Sequence, residues 1–188
     1  MNDMILVVYG SPRLNGNSTF LSKKIIEGVK EVDNKTVIEE VFLQTLNIKP
    51  CSACDFCRTS GTNTCVINDD MKDLYNKISM AKAIVLATPV YWFSYSAQLK
   101  IFIDRFYGLV LENNNVLENK NIAIALSFAG EDVFDSGAIN VIRSFQDCFA
   151  YTKSTIKGFV YGKAVQEGDF ENNEELCNIA KQLGKKLL

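Results

Sequence analysis

Four of the chain's six cysteines fall within one short stretch, spaced Cys51-x2-Cys54-x2-Cys57-x7-Cys65. Thiolates are soft ligands, and four of them without histidine suit either a [4Fe-4S] cluster, with one ligand per iron, or a four-cysteine zinc site. Zinc sites usually hold two C-x2-C pairs well apart, whereas three cysteines at successive x2 gaps are spaced as in ferredoxin-type ligation. Free or redox-active thiols and a disulfide are further readings of the same spacing. The chain contains no histidine, which removes Ser-His-Asp and Cys-His catalysis and the common histidine zinc sites. Chemistry is left to a bound cofactor, to the cysteines or to carboxylates.

A second stretch has the makings of an anion site. Gly10-Ser11-Pro12-Arg13-Leu14-Asn15-Gly16-Asn17-Ser18-Thr19 follows an apolar run and opens a helical pattern. Its small residues let backbone N–H groups converge, Ser11, Asn17, Ser18 and Thr19 offer side-chain donors, and the helix start adds its dipole. Arg13 can bring a positive charge to a phosphate. The turn lacks both the G-x-G-x-x-G dinucleotide fingerprint and the Walker lysine, so a monophosphate fits it better than NAD or a nucleoside triphosphate. The plainer alternative is a polar loop in which Ser or Asn caps a helix.

The third stretch, Thr88-Pro89-Val90-Tyr91-Trp92-Phe93, sets three flat aromatic side chains beside a proline turn. Such a cluster can cap a core, cover a subunit surface or meet a planar ligand.

These stretches need elements to hold them. Short apolar runs with β-branched residues recur at Met4–Tyr9, Thr36–Leu43, Ala83–Thr88, Asn121–Ser127 and Ser154–Tyr161, which predicts five strands. Helical patterns lie between and after them at Ser18–Val32, Met71–Met80, Ser96–Tyr107, Ser136–Tyr151 and Asn172–Leu188. Alternating strands and helices predict an α/β doubly wound five-stranded parallel sheet, order 2-1-3-4-5, with helices on both faces. In such a sheet ligands bind beyond the strand carboxyl ends at the switch point between strands 1 and 3. The polar turn and the aromatic stretch both leave strands there. Residues 47–70 break the rhythm as a long cysteine-rich loop, and a loop of that length is usually functional or disordered.

Taken together, Gly-Ser-Pro-Arg and Gly-Asn-Ser-Thr in the first turn, the Pro-Val-Tyr segment followed by S-x-x-L-K-x-F-x-D-R, and the compact cysteine motif followed by Asp69-Asp70-Met71 carry a resemblance. From Ile5 to about Gly130 the chain resembles the NADPH-dependent FMN reductase and iron-sulfur flavoprotein branch of the flavodoxin-like superfamily. The resemblance implies one flavodoxin-like FMN-binding domain over residues 1–188. It implies that Ser11, Arg13, Asn17, Ser18 and Thr19 hold the FMN phosphate and that Pro89, Val90, Tyr91, Trp92 and Phe93 border the flavin ring. Cys51, Cys54, Cys57 and Cys65 become candidate ligands of a [4Fe-4S] cluster, although relatives in the reductase arm hold cysteines here without one. NAD(P)H is the implied electron donor, a ferredoxin-like protein a partner for onward transfer, and a homodimer or higher homo-oligomer the implied assembly. The flavin carries the chemistry, so no side chain is assigned a catalytic role.

The loop Ser127–Glu131 leaves the fourth strand and is expected to approach the other side of the ring; it holds less glycine than in many such proteins, and Ser127 and Gly130 stay outside the core set. Asp104 and Arg105 read as a structural pair at a helix end, and Cys148 and Cys177 as buried core residues. Two other readings survive: a flavodoxin-like electron carrier without turnover of a small substrate, and a zinc-stabilised module that uses the aromatic loop to hold a partner.

Composition narrows the classes. The chain has 188 residues, a formal net charge of −2 and 47% hydrophobic residues, which fits one globular domain. Lys and Arg are scattered, so a nucleic-acid footprint is missing. No apolar run approaches the roughly 18 residues of a membrane span, and the start of the chain does not read as a signal peptide. A cytoplasmic location with reduced thiols is expected.

Overall fold

The computed structural model describes residues 3–60, 65–111 and 113–188, so positions 61–64 of the predicted cysteine loop lie outside the described residues. Five parallel strands form the sheet: β1 (Met4–Tyr9), β2 (Val37–Phe42), β3 (Ala83–Tyr91), β7 (Asn121–Phe128) and β8 (Thr155–Lys163), in the order β2-β1-β3-β7-β8. This is the predicted 2-1-3-4-5 order. A short strand β4 (Ser94–Tyr95) adds a sixth, antiparallel to the end of β3. A separate two-stranded hairpin pairs β5 (Val110–Leu111) with β6 (Asn114–Asn115).

Alternation along the buried strands feeds two cores, as side chains of period two must. Leu6, Val8, Ile84, Leu86, Ile122 and Ile124 face one side with α3 (Met71–Met80), α4 (Ala97–Asp104) and α5 (Ala138–Tyr151). Ile5, Val7, Ala83, Val85, Ala123 and Ala125 face the other, against α1 (Asn17–Val32) and α6 (Glu174–Lys185). The polar strand β2 lies at an edge, as its charged residues suggest. No helix among the described residues is long and apolar enough to cross a membrane.

Two boundaries differ from the sequence-based expectation. β3 does not stop at Thr88; Pro89 pairs with Ser127 of β7 inside the ladder, and the strand runs on to Tyr91 before turning back into β4. The predicted helix Ser96–Tyr107 ends at Asp104 and tightens into a 3-10 turn over Arg105–Leu109. A four-residue helix α2 (Phe56–Thr59) also forms within the cysteine loop.

Candidate functional site

At the carboxyl end of β1 the chain enters α1 without a side-chain cap. Gly16 occupies the N-cap position, no side chain accepts from the first turn, and that turn holds no acidic residue. The polar residues are therefore not spent on capping, and the orphan N–H groups of the helix start receive no side-chain acceptor from a cap. Asn17, Ser18 and Thr19 are buried, and Asn17 Oδ1, Ser18 Oγ and Thr19 Oγ1 have no hydrogen-bond partner. Leaving such a group dry and unpaired costs about 1–3 kcal/mol. Three in a row mark a place prepared for a ligand, and hydroxyl donors at a helix N-terminus fit a phosphate.

A cavity of about 170 Å³ opens here, between the ends of β1, β3 and β7. Ser11, Arg13, Asn17 and Ser18 line it from the first turn, with Pro89, Val90 and Tyr91 from β3. It is smaller than the roughly 300–1,000 Å³ of ordinary ligand pockets and has room for only part of a ligand of that size. A larger groove of about 600 Å³ between β8 and α6, lined by Lys157, Phe159, Ile179 and Gln182 among others, has none of these unpaired donors and lies along the far edge of the sheet.

Thr19, Trp92 and Phe93, also predicted to bind, do not line the cavity. Thr19 lies one residue along the helix from it. Trp92 and Phe93 form the tip of the β3–β4 hairpin, both at positive φ (47° and 62°). Trp92 is 93% exposed, while the Phe93 backbone and ring lie against Gly137, where a Cβ would meet Phe93 Cβ at 2.6 Å. Gly137 itself has φ +74°, so two requirements fix glycine there.

The end of β7 and the loop that leaves it, expected to approach the site from this side, supply Ser127, Phe128 and Ala129 to the far wall. Sequence reasoning missed the rest of that wall, Ala164, Val165 and Glu167 after β8. Asn17 Nδ2 donates to the Gln166 carbonyl at 2.6 Å, and Ala164 N to Phe128 O at 2.7 Å, drawing this wall inward. The residues after β8 carry no motif; only the topology brings them there.

The cysteine loop is closed at its neck. Asp70 Oδ2 accepts from Asn47 N at 2.7 Å and Asp69 Oδ2 from Lys49 N at 2.9 Å, tying the loop's end to its beginning. Arg105 grips both sides, donating to Lys49 O at 2.8 Å and to Asp69 at 2.6 and 3.2 Å. The predicted Asp104–Arg105 pair does not form: Asp104 takes Lys100 on its own helix, and Arg105 turns inward to Asp69. Burial works against the Asp69 carboxylate, but the Arg105 guanidinium and the Lys49 and Met71 amides hold its carboxyl below the usual range.

All six cysteines are free thiols. Cys51 and Cys54 are exposed, and Cys57 and Cys65 half-buried. Burial, then the neighbouring Cys65 and Cys51, push the Cys57 thiol up, while the Phe56 amide and the Ser52 hydroxyl draw the Cys54 thiol down. Among the described residues no three cysteine, aspartate or glutamate side chains stand close enough to hold a metal ion. The donor set, four thiols with no competing imidazole, nonetheless fits an iron-sulfur cluster. Cys148 and Cys177, expected in the core, are only half-buried.

Comparison with known proteins identifies relatives by sequence and by fold. Residues 4–151 match the family model of the NADPH-dependent FMN reductases. An iron-sulfur flavoprotein of Methanocaldococcus jannaschii is 35% identical, over 97% of this chain and 94% of that one. Another, from Methanosarcina thermophila, is 36% identical over 74% of this chain and 69% of its own. Among solved structures, an FMN-dependent NADH-azoreductase of Bacillus anthracis in complex with FMN superimposes with a TM-score of 0.71. It covers 100% of this chain and 99% of its own at 13% identity, a likeness of fold alone.

Proposed function

The chain belongs to the NADPH-dependent FMN reductase family, and from that premise we propose that it takes electrons from NAD(P)H onto FMN and passes them on through a [4Fe-4S] cluster held by Cys51, Cys54, Cys57 and Cys65. The observation that carries this reading is where the unpaired polar atoms lie. Folded proteins satisfy nearly all buried polar groups. Among the described residues the buried side-chain exceptions are Asn17 Oδ1, Ser18 Oγ and Thr19 Oγ1 in the first turn, and Arg58 Nε and Arg105 Nε at the cysteine loop. Unpaired polar atoms thus fall in two parts of the chain, the turn suited to a phosphate and the segments that carry or close the cysteine loop.

Bound FMN supplies hydride and single-electron chemistry that no side chain here offers. The protein's part is to bind and orient. Ser18 would donate to the phosphate together with the first N–H groups of α1, with the Thr19 hydroxyl one residue further along the helix, and Arg13 would balance charge. Pro89 and Val90 wall the cavity, and the half-exposed Tyr91 offers a flat face beside it. The cysteines would hold the cluster, and the Arg58 guanidinium in the same loop would lower the cost of gathering four thiolates. The names of the two flavoprotein relatives support the cluster, and the exposed aromatic tip supports a homodimer. A ferredoxin-like carrier is the partner suited to one-electron transfer, and reduced thiols suit the cytoplasm.

The test is an absorption spectrum of protein purified without oxygen, with iron and acid-labile sulfide assayed on the same sample. Flavin bands with about four irons per chain are expected for one cubane. Flavin without iron or sulfide removes the cluster from the reading. A colourless protein that does not take up added FMN overturns it entirely.

A further inference from the structure

We propose that the 3-10 turn Arg105–Leu109 is the platform that positions the four-cysteine site for its cluster, with Gly108 leaving the space that Cys57 fills and Tyr107 holding the residues on either side of it. The inference rests on the reading of these cysteines as cluster ligands and names the residues that place them.

Three independent contacts meet on this turn. Arg105 closes the loop's neck through Lys49 O and Asp69, as described. Two residues on, Tyr107 Oη donates to Asp55 Oδ1 at 3.1 Å, and the Arg58 guanidinium lies 4.0 Å from the centre of the Tyr107 ring. Asp55 and Arg58 bracket Cys57 in α2, a helix too short to hold itself in place. Next along, a Cβ on Gly108 would stand 3.2 Å from Cys57 Cβ and 3.6 Å from Cys57 Sγ, the first of these tighter than ordinary van der Waals contact. Gly108 does not have positive φ. Glycine is favoured there by the approach of Cys57 and not by the backbone.

Charge and hydrogen bonding agree with the geometry. Four thiolates around iron and sulfide form an anionic site, and outer contacts to its ligands set both affinity and potential. Arg58 brings a positive charge to the loop, while that of Arg105 is balanced by Asp69, and each arginine retains a buried Nε–H without an acceptor. Thiolate sulfur is an acceptor. The platform therefore supplies a seat for one ligand, a brace for its neighbours and one unused donor, with a second on Arg58 of the helix it braces.

The experiment uses the full chain, reconstituted without oxygen with iron and sulfide in the presence of FMN, as wild type, Gly108→Ala, Gly108→Val and Tyr107→Leu. Iron, sulfide and FMN per chain are measured, with the thermal midpoint and the electron paramagnetic resonance spectrum of the reduced protein. Gly108→Val, whose branched side chain would take the space that Cys57 fills, is expected to lose most of its iron while keeping FMN. Gly108→Ala, which asks Cys57 to move only a few tenths of an ångström, should load iron with a shifted spectrum. Tyr107→Leu, a change at a half-exposed side chain, should lower iron occupancy without moving FMN. Iron loading and spectra equal to wild type in all three overturn the inference. So does a joint loss of iron, FMN and thermal midpoint, which would make the turn a general support of the fold. A wild type that takes up no iron overturns the cluster reading itself and is distinct from either result.

Discussion

The Asp69 carboxylate and the Arg105 guanidinium meet at 2.6 Å across 36 residues of sequence, with side chains 0% and 1% exposed. A pair so buried is expensive to break by halves, because the remaining charge is left without a partner. Asp69→Asn should cost about 3–5 kcal/mol and lower the thermal midpoint by roughly 6–20 °C. Replacing both residues with apolar side chains of similar volume should cost much less. Denaturant titration of the single and double variants checks this, and equal losses would show that the pair itself is not the source.

The same carboxylate gives a pH dependence. Its folded value is depressed, so its contribution to stability is fully present above the ordinary aspartate value of about 3.9 and is lost as pH falls through the lower folded value. Urea midpoints measured from neutral pH downward should hold steady and then fall in that acid window. In Asp69→Asn the fall should be shallower, since one coupled proton is gone.

Ser18 and Thr19 separate stability from binding. Removing a buried hydroxyl with no partner should leave the flavin-free protein as stable or up to about 1–3 kcal/mol more stable. The same change removes a donor to a charged phosphate, worth about 1.5–3 kcal/mol, or roughly tenfold to hundredfold in affinity. Ser18→Ala should therefore raise the thermal midpoint without flavin and weaken FMN. Thr19→Val should do the same with a smaller effect on FMN, because Thr19 does not line the cavity. Riboflavin has no phosphate, and its affinity should not change in either variant.

Trp92 is the chain's sole tryptophan and its side chain stands in solvent at φ 47°. A left-handed conformation costs a non-glycine residue about 1–2 kcal/mol, and exposure means little packing offsets it. Trp92→Gly should stabilise the flavin-free chain by up to about 1 kcal/mol. Strain held at a site edge points to a task, so tryptophan fluorescence of the wild type should fall as FMN is titrated in. Unchanged emission at saturating FMN would remove the hairpin tip from the flavin's surroundings.

Much of this protein is legible from residue types and local spacing alone. Buried parallel strands write themselves as unbroken apolar runs, so β1, β3 and β7, their order in the sheet and the switch point followed from pattern. The first turn announced itself through small residues and hydroxyls before a helix, and the cysteines through their spacing. Tertiary structure decided what pairs across distance. Arg105 could take its helical neighbourhood or the far side of a loop, and only the fold brings Asp69 to it and leaves Asp104 to Lys100. Ala164, Val165 and Glu167 wall the cavity because β8 ends beside β7, a consequence of sheet order that no local composition records. Gly108 reads in sequence as one more turn residue, and the closeness of Cys57 gives it a reason. Periodicity and spacing are properties of neighbours along the chain, whereas contacts between distant segments exist only once packing has chosen among the partners that the sequence leaves open.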